Sequence, residues 1–324
     1  MIKTLSISNS KLWRNRLKFD FWSLLIVLLL MCFLPLLDLS DYTLGILIVA
    51  MYLAIVAMSW NLLAGYCGQF SMAPAAFAMI GGYIVGLSDF HAQLSLWISV
   101  PLAIVGTAIL GALLGLIVTR LKGPYLSLTT LSFAEISRVI ISNSHEYTRG
   151  DQGLNVPSMM NDRLSYYYFF IVLVLLTGVF IYWLMRSKLG GFLLAIRDDQ
   201  EGAESKGIDI VFYKLVAFTI SCSLCGFAGA MYGSFSQLVS PEMGLLQQTG
   251  LVISMVVIGG IGSLTGPVIG AILVYLGSEW LREIGNIQMI VFAFVVIIFA
   301  RFFRTGIWGF CLGLKQRLLQ NHHE

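Results

Sequence analysis

Cys222 and Cys225 stand in a C-x-x-C, a spacing that serves both thiol exchange and metal binding. Both fall inside the apolar run 215–238, with no histidine or second cysteine pair close in sequence, so buried packing is their expected use. Cys32, Cys67 and Cys311 also lie in or beside apolar stretches, and no disulfide framework is expected. Glu135 and Arg138 lie three residues apart in another apolar run, close enough to meet on one helix face. Such a pair either lines a pathway or neutralises itself between helices. Glu279 and Arg282 repeat the spacing near the end of a stretch, where a solvated pair is expected. H-E-x-x-H and G-x-S-x-G are missing, and Lys206 does not complete G-x-x-x-x-G-K-[ST]. The chain is therefore expected to be no enzyme, with no catalytic residue, no metal site and no cofactor of its own. If ATP drives it, ATP and Mg bind to a partner.

The most charged stretch contains the run Ala195-Ile-Arg-Asp-Asp-Gln-Glu-Gly-Ala-Glu-Ser-Lys-Gly-Ile208. It reads as one short helix with Asp198 or Asp199 as N-cap, acids in the first turn and Gly207 as the stop.

The elements that must position these residues are membrane helices. Of 324 residues 58% are hydrophobic and 11% charged, with mean hydropathy +0.85. Soluble domains carry about 25% charge, so a water-soluble protein is excluded. A net charge of +3 gives no reason to expect a nucleic-acid partner. The fold class expected is all-α, a polytopic bundle forming a single domain over 1–324. Ten apolar runs fit spans: 21–37, 43–64, 72–87, 94–119, 125–142, 166–185, 215–238, 249–262, 267–281 and 287–303. The third, eighth and ninth fall short of the usual ~17 residues. Lys11, Arg14, Arg16 and Lys18 precede the first run, but no small-residue cleavage site follows it, so an uncleaved anchor is expected.

Alternating the loops with both termini in the cytoplasm puts 16 of the 20 Lys and Arg residues inside, as the positive-inside rule requires. Only Arg138, Arg149, Arg163 and Arg282 fall on or near the outer side. This arrangement makes 1–18 and 304–324 cytoplasmic tails, 143–165 a periplasmic loop and 186–214 a cytoplasmic loop.

Two glycine clusters interrupt the runs: Gly65 and Gly68 before Pro74, and Gly259 and Gly262 before Pro267. They read either as half-spanning helices broken at membrane depth, as transporters use them, or as tight turns between tilted helices. Gly-x-x-x-Gly pairs at 82/86, 111/115 and 229/233, with a triple at 262/266/270, provide small faces for close helix packing.

The run 195–208 resembles the A-I-R-[DE]-x-E-x-A-A-E-x-x-G-[IV] signature of permeases of branched-chain amino-acid ABC transporters, in the LivM-like branch. Further landmarks follow in the family's order: Asn61-Leu-Leu-Ala-Gly-Tyr-Cys-Gly-Gln-Phe-Ser71, Gly123-Pro-Tyr-Leu-Ser-Leu-Thr-Thr-Leu-Ser-Phe-Ala-Glu135, Thr148-Arg-Gly-Asp-Gln-Gly-Leu154, Tyr213-Lys-Leu-Val-Ala-Phe218 and Gly259-Gly-Ile-Gly-Ser-Leu-Thr-Gly-Pro-Val-Ile-Gly270. The resemblance implies a multi-pass subunit in a bacterial inner membrane. Its implied partners are a second homologous permease, two ABC ATPases and a periplasmic solute-binding protein. It implies branched-chain amino acids as cargo, with urea, short amides or nucleosides as alternatives. A stand-alone secondary carrier or channel is the rival of another class.

On this resemblance Arg197, Asp198, Asp199, Glu201, Glu204 and Gly207 couple the chain to the ATPase. Tyr125, Thr129, Phe133 and Glu135 belong to a translocation pathway at the subunit interface, and the breaks at Gly65, Gly68, Gly259 and Gly262 are assigned to the same pathway. The sequence departs from the family pattern at Gln200, where an acid is usual, at Gly202, where alanine is usual, and at Arg149, where glycine is usual.

Overall fold

The computed structural model describes residues 3–37, 40–121, 123–281, 294, 297 and 306–309. In chain order its helices are α1 (Lys3–Phe33), α2 (Asp41–Asn61), α3 (Pro74–Ala92), α4 (Leu96–Val118), α5 (Pro124–Asn143), α6 (His145–Thr148), α7 (Arg163–Arg186), α8 (Lys188–Asp198), α9 (Gln200–Glu204), α10 (Ile210–Ser236), α11 (Leu246–Gly259) and α12 (Gly266–Leu281). Two strands, β1 (Leu154–Asn155) and β2 (Leu238–Val239), pair antiparallel with Leu154 opposite Val239 and Asn155 opposite Leu238.

Helices stand at nine of the ten expected spans, and the tenth, 287–303, lies outside the described residues apart from 294 and 297. Among the described residues six helices are long and apolar enough to cross a membrane. The third expected span is among them, because α3 runs for 19 residues to Ala92. α5 has the length, but its serines, threonines, Glu135 and Arg138 keep it off that group. α11 has 14 residues, or about 21 Å at ~1.5 Å per residue, and falls short of a hydrocarbon core of about 30 Å. α12 is described over 16 residues, up to Leu281. The expected tail 1–18 is, from Lys3 onward, a continuation of α1.

α2 is the axis of the bundle. Ser40 caps it, its Oγ accepting the Thr43 N–H, and Asp41 lies in its first turn. From Ala50 to Asn61 every residue is buried, because α7, α10, α11 and α12 surround it. A helix apolar on all sides is a core helix of such a bundle. α10 lies against α2, α3 and α4. At the α3 crossing Gly229 sits against the Ala78 carbonyl, with no room for a Cβ. Cys222 and Cys225 are free thiols, both buried, and Cys222 fills the space left by Gly111 of α4. Packing explains the C-x-x-C.

α7 separates the two long loops. Its 24 residues rise about 36 Å, so 143–165 and 186–214 lie at opposite ends of the bundle. At the first end, the β1–β2 pair ties 143–165 to the connection between α10 and α11.

Candidate functional site

The charged run is not a single helix. α8 continues through Asp198, the chain extends at Asp199 (φ −155°), and α9 restarts at Gln200. Asp199 is the cap, its Oδ1 accepting the Gly202 N–H at 3.0 Å. Gly202 leaves the space that this carboxylate fills. Asp198 caps nothing and instead pairs with Arg197 at 2.8 Å. Gly207 ends the segment with φ +80°, and the bonds from Gly207 N to Glu204 O and from Ile208 N to Ala203 O close the turn. Ile196, Ala203 and Ile210 form a small apolar cluster beneath it. Glu201, Glu204, Ser205 and Lys206 face outward. Gln200 accepts a hydrogen bond from the buried Lys214 ammonium at 3.0 Å.

Arg197 turns inward. Its Nη1 donates to the Gly65 carbonyl at 3.0 Å, an acceptor in the π-turn Leu62–Tyr66 that follows α2. The same place gathers the second glycine cluster. Asn61 accepts the Gly262 N–H on Oδ1 at 2.8 Å and donates from Nδ2 to the Ser263 carbonyl at 2.7 Å. One buried amide thus satisfies both backbone groups of an unwound turn. Gly68 (φ +75°) lies against the Arg197 side chain, and Gly262 (φ +74°) lies between the Gly65 carbonyl and the guanidinium. Both positions need glycine for their backbone conformation.

From the other side, Thr265 donates to the Asp20 carbonyl at 2.6 Å and shares a hydrogen bond with Ser23. The buried Asp20 carboxylate accepts the Trp308 indole N–H at 2.8 Å. The two breaks and α8 therefore form one polar junction. Beside it, burial pushes the Cys67 thiol up to about 12.

α5 is built differently. Leu126, Thr130 and Ala134 face inward, and Thr130 accepts the Met72 N–H at 2.9 Å while Ser127 donates to the Phe70 carbonyl at 2.8 Å. Tyr125 is 71% exposed and Thr129 half-buried. Phe133, expected on the same face, stacks on Phe77 of α3 at 5.3 Å. Glu135 points elsewhere and takes two hydrogen bonds from Arg138, at 2.9 and 3.1 Å. Of the four residues expected to line a pathway, the outward surface of α5 presents Tyr125 and Thr129 together. Glu279, expected beside Arg282, accepts the Tyr42 hydroxyl at 2.6 Å, and Arg282 lies outside the described residues. Arg149 sits in the left-handed region (φ +57°) that favours glycine, with its guanidinium 4.7 Å from the centre of the Phe90 ring.

Residues 42–300 match the family described as branched-chain amino acid transport system / permease component. The chain belongs to this permease family. It is 28% identical over 289 residues to the high-affinity branched-chain amino acid transport system permease protein LivM of Escherichia coli, covering 80% of this chain and 68% of that one. Against LivM of Salmonella typhimurium the identity is 28% over 274 residues, covering 75% of this chain and 64% of the relative. This permease therefore spans about two thirds of the length of those relatives. LivH of Escherichia coli is 22% identical over 293 residues, covering 79% of this chain and 91% of the relative.

Three permease residues at the junction escaped sequence reasoning as functional groups. Asn61 was visible only as a letter in a motif. Asp20 sits one residue before the first apolar run. Thr265 lies within a glycine cluster that draws attention to its glycines. A polar residue beside each interruption is the signal that could have found Asn61 and Thr265, while Asp20 carries no such signal.

Proposed function

We propose that this chain is one permease subunit of an ABC importer that carries branched-chain or related amino acids across a bacterial inner membrane, with ATP and Mg bound by two partner ATPases. The resemblance to both LivM and LivH supports a second, homologous permease beside it. A periplasmic binding protein would deliver the cargo. The exposed outer surface of α5, with Tyr125 and Thr129, is available to a pathway shared with that second permease.

The observation that carries the reading is the bond from Arg197 to the Gly65 carbonyl. This bond joins a charged, outward-facing double helix to an internal break. An ATPase-driven permease requires such an element, because a partner shifts a two-state equilibrium only by contacting the two states differently. In this reading Glu201, Glu204 and the turn at Gly207 meet the ATPase, Asp199 holds the shape of the segment, and Arg197, braced by Asp198, passes its movement to the breaks at Gly65, Gly68, Gly259 and Gly262. The cytoplasmic side for 186–214 and the periplasmic side for 143–165 follow from the charge distribution.

The test is reconstitution with the co-purifying subunits and uptake of labelled leucine, urea, adenosine and fructose. Fructose belongs in the panel because a fructose import permease of Rhizobium meliloti is 28% identical over 232 residues. ATP-dependent leucine uptake supports the proposal. Uptake that continues without ATP and without an ATPase contradicts it.

A further inference from the structure

At the end of the bundle that carries the β1–β2 pair, α2, α10, α11, α12 and the connection from Leu238 to Met243 line a partly open cavity of about 340 Å³. Ligand pockets start at about 300 Å³, so the space suits a single small solute. Tyr52 of α2 and Tyr232 of α10 form one wall, their rings stacked with centroids 4.3 Å apart. Tyr52 is only 7% exposed. Neither hydroxyl has a hydrogen-bond partner among the described residues. A buried phenol usually finds one, and two unpartnered phenols lining one cavity are donors awaiting an acceptor.

The rest of the lining offers one charged, several neutral polar and several apolar groups. Val49, Leu53 and Met243 add an apolar surface, Ser236, Ser240 and Gln248 add neutral polar groups, and Glu242 is the one charged residue among the described lining residues. A carboxylate offers acceptors only, so it suits an ammonium group. The phenols suit a carboxylate, and the aliphatic surface suits an apolar body.

We propose that this cavity, inside one subunit and away from the outer surface of α5, is a binding site for a small zwitterion with an apolar side chain. Glu242 takes the ammonium, Tyr52 and Tyr232 take the carboxylate, and Val49 and Leu53 contact the side chain. That the bound solute is cargo rests on the importer reading; that the site binds it rests on the cavity.

The experiment measures equilibrium binding of labelled L-leucine to the purified assembly in nanodiscs, without a binding protein, alongside ATP-dependent uptake. Losing one charge-assisted hydrogen bond weakens binding by about tenfold or more, so Glu242→Gln and Tyr52→Phe should each do so. Glu146→Gln, in the loop at the same end, should leave binding unchanged. N-acetyl-leucine lacks the ammonium and 3-methylbutylamine lacks the carboxylate, and both should compete about tenfold less well than leucine. Glu242 is exposed and Tyr52→Phe removes a single unpartnered oxygen, so both variants should assemble. Wild-type binding in both variants overturns the site, and does so while leaving the importer reading standing if ATP-dependent uptake persists. Absence of leucine binding to the wild type also overturns it. Leucine binding that depends on Glu242, in an assembly that shows no ATP-dependent uptake, supports the site and removes the importer reading.

Discussion

Tyr52 and Asn61 lie about 14 Å apart along α2 at ~1.5 Å per residue, and their own polar groups are used differently at the two levels: the Asn61 amide bridges to a neighbouring turn, while the Tyr52 hydroxyl faces a cavity. Around Asn61 backbone groups are held by side chains: its amide holds Gly262 and Ser263, Arg197 holds Gly65, and Thr265 holds the Asp20 carbonyl, while the nearby Tyr66 hydroxyl and Gln69 amide have no partner among the described residues. Around Tyr52 the phenols open onto a cavity. Satisfied polar networks in a low dielectric are stiff and specify one arrangement. The first level can therefore transmit a displacement, while the second keeps room for a solute. The importer proposed above would use both properties, and both stand on one helix.

The sharpest break of this comparison is at the two side chains themselves. Asn61→Leu strands a part-buried N–H and a buried C=O and should cost about 2–3 kcal/mol. Tyr52→Phe strands nothing and should stay within about 0.5 kcal/mol. Thermal unfolding of the purified assembly compares them, and equal shifts would erase the distinction. Next come two glycines. Gly262→Ala forces a side chain into positive φ and should destabilise by about 1–2 kcal/mol. Gly191→Ala, in α8 with open space around it, should be stabilising by up to about 1 kcal/mol. The opposite signs are the expectation to check in the same melts.

Glu204→Lys reverses an exposed charge and should weaken ATPase association by about fivefold, near the upper range for a surface pair, with insertion unchanged. Pull-down of the ATPase at matched permease levels measures it. The smallest effect is chemical. With its thiol pushed up to about 12, Cys67 holds little thiolate at pH 7.5, and thiolate is the reactive form. In a background without the other cysteines, maleimide should label it slowly, faster as pH rises, and faster again in Asn61→Ala, where the junction loosens.

The long helices were legible because an apolar run of sufficient length in a membrane has one stable backbone. The end of α3 was not, since Ser88, Asp89 and His91 are polar while continuing the helix. The charged segment was legible as a unit but not as two helices. Nothing local distinguishes Asp198 from Asp199 as a cap until the backbone extends at Asp199. Arg197 was legible as part of the coupling segment, yet its acceptor lies 132 residues away and no local pattern predicts the inward turn. Tyr52 and Tyr232 read as ordinary aromatic residues in apolar runs, because the missing partners of their hydroxyls exist only in three dimensions. Arg149 shows the reverse case. The backbone there explains why glycine suits the position, and the Phe90 ring offers the guanidinium a compensating contact.

The claim that joins these observations is that movement of α8 and α9 reaches the glycine breaks through Arg197. Its most direct test is the ratio of solute imported to ATP hydrolysed, measured on the same proteoliposomes for wild type and Arg197→Ala. The account predicts wild-type ATPase content and continued hydrolysis, with the ratio reduced by about tenfold, the loss of a hydrogen bond to a charged group. An unchanged ratio at wild-type assembly would contradict it.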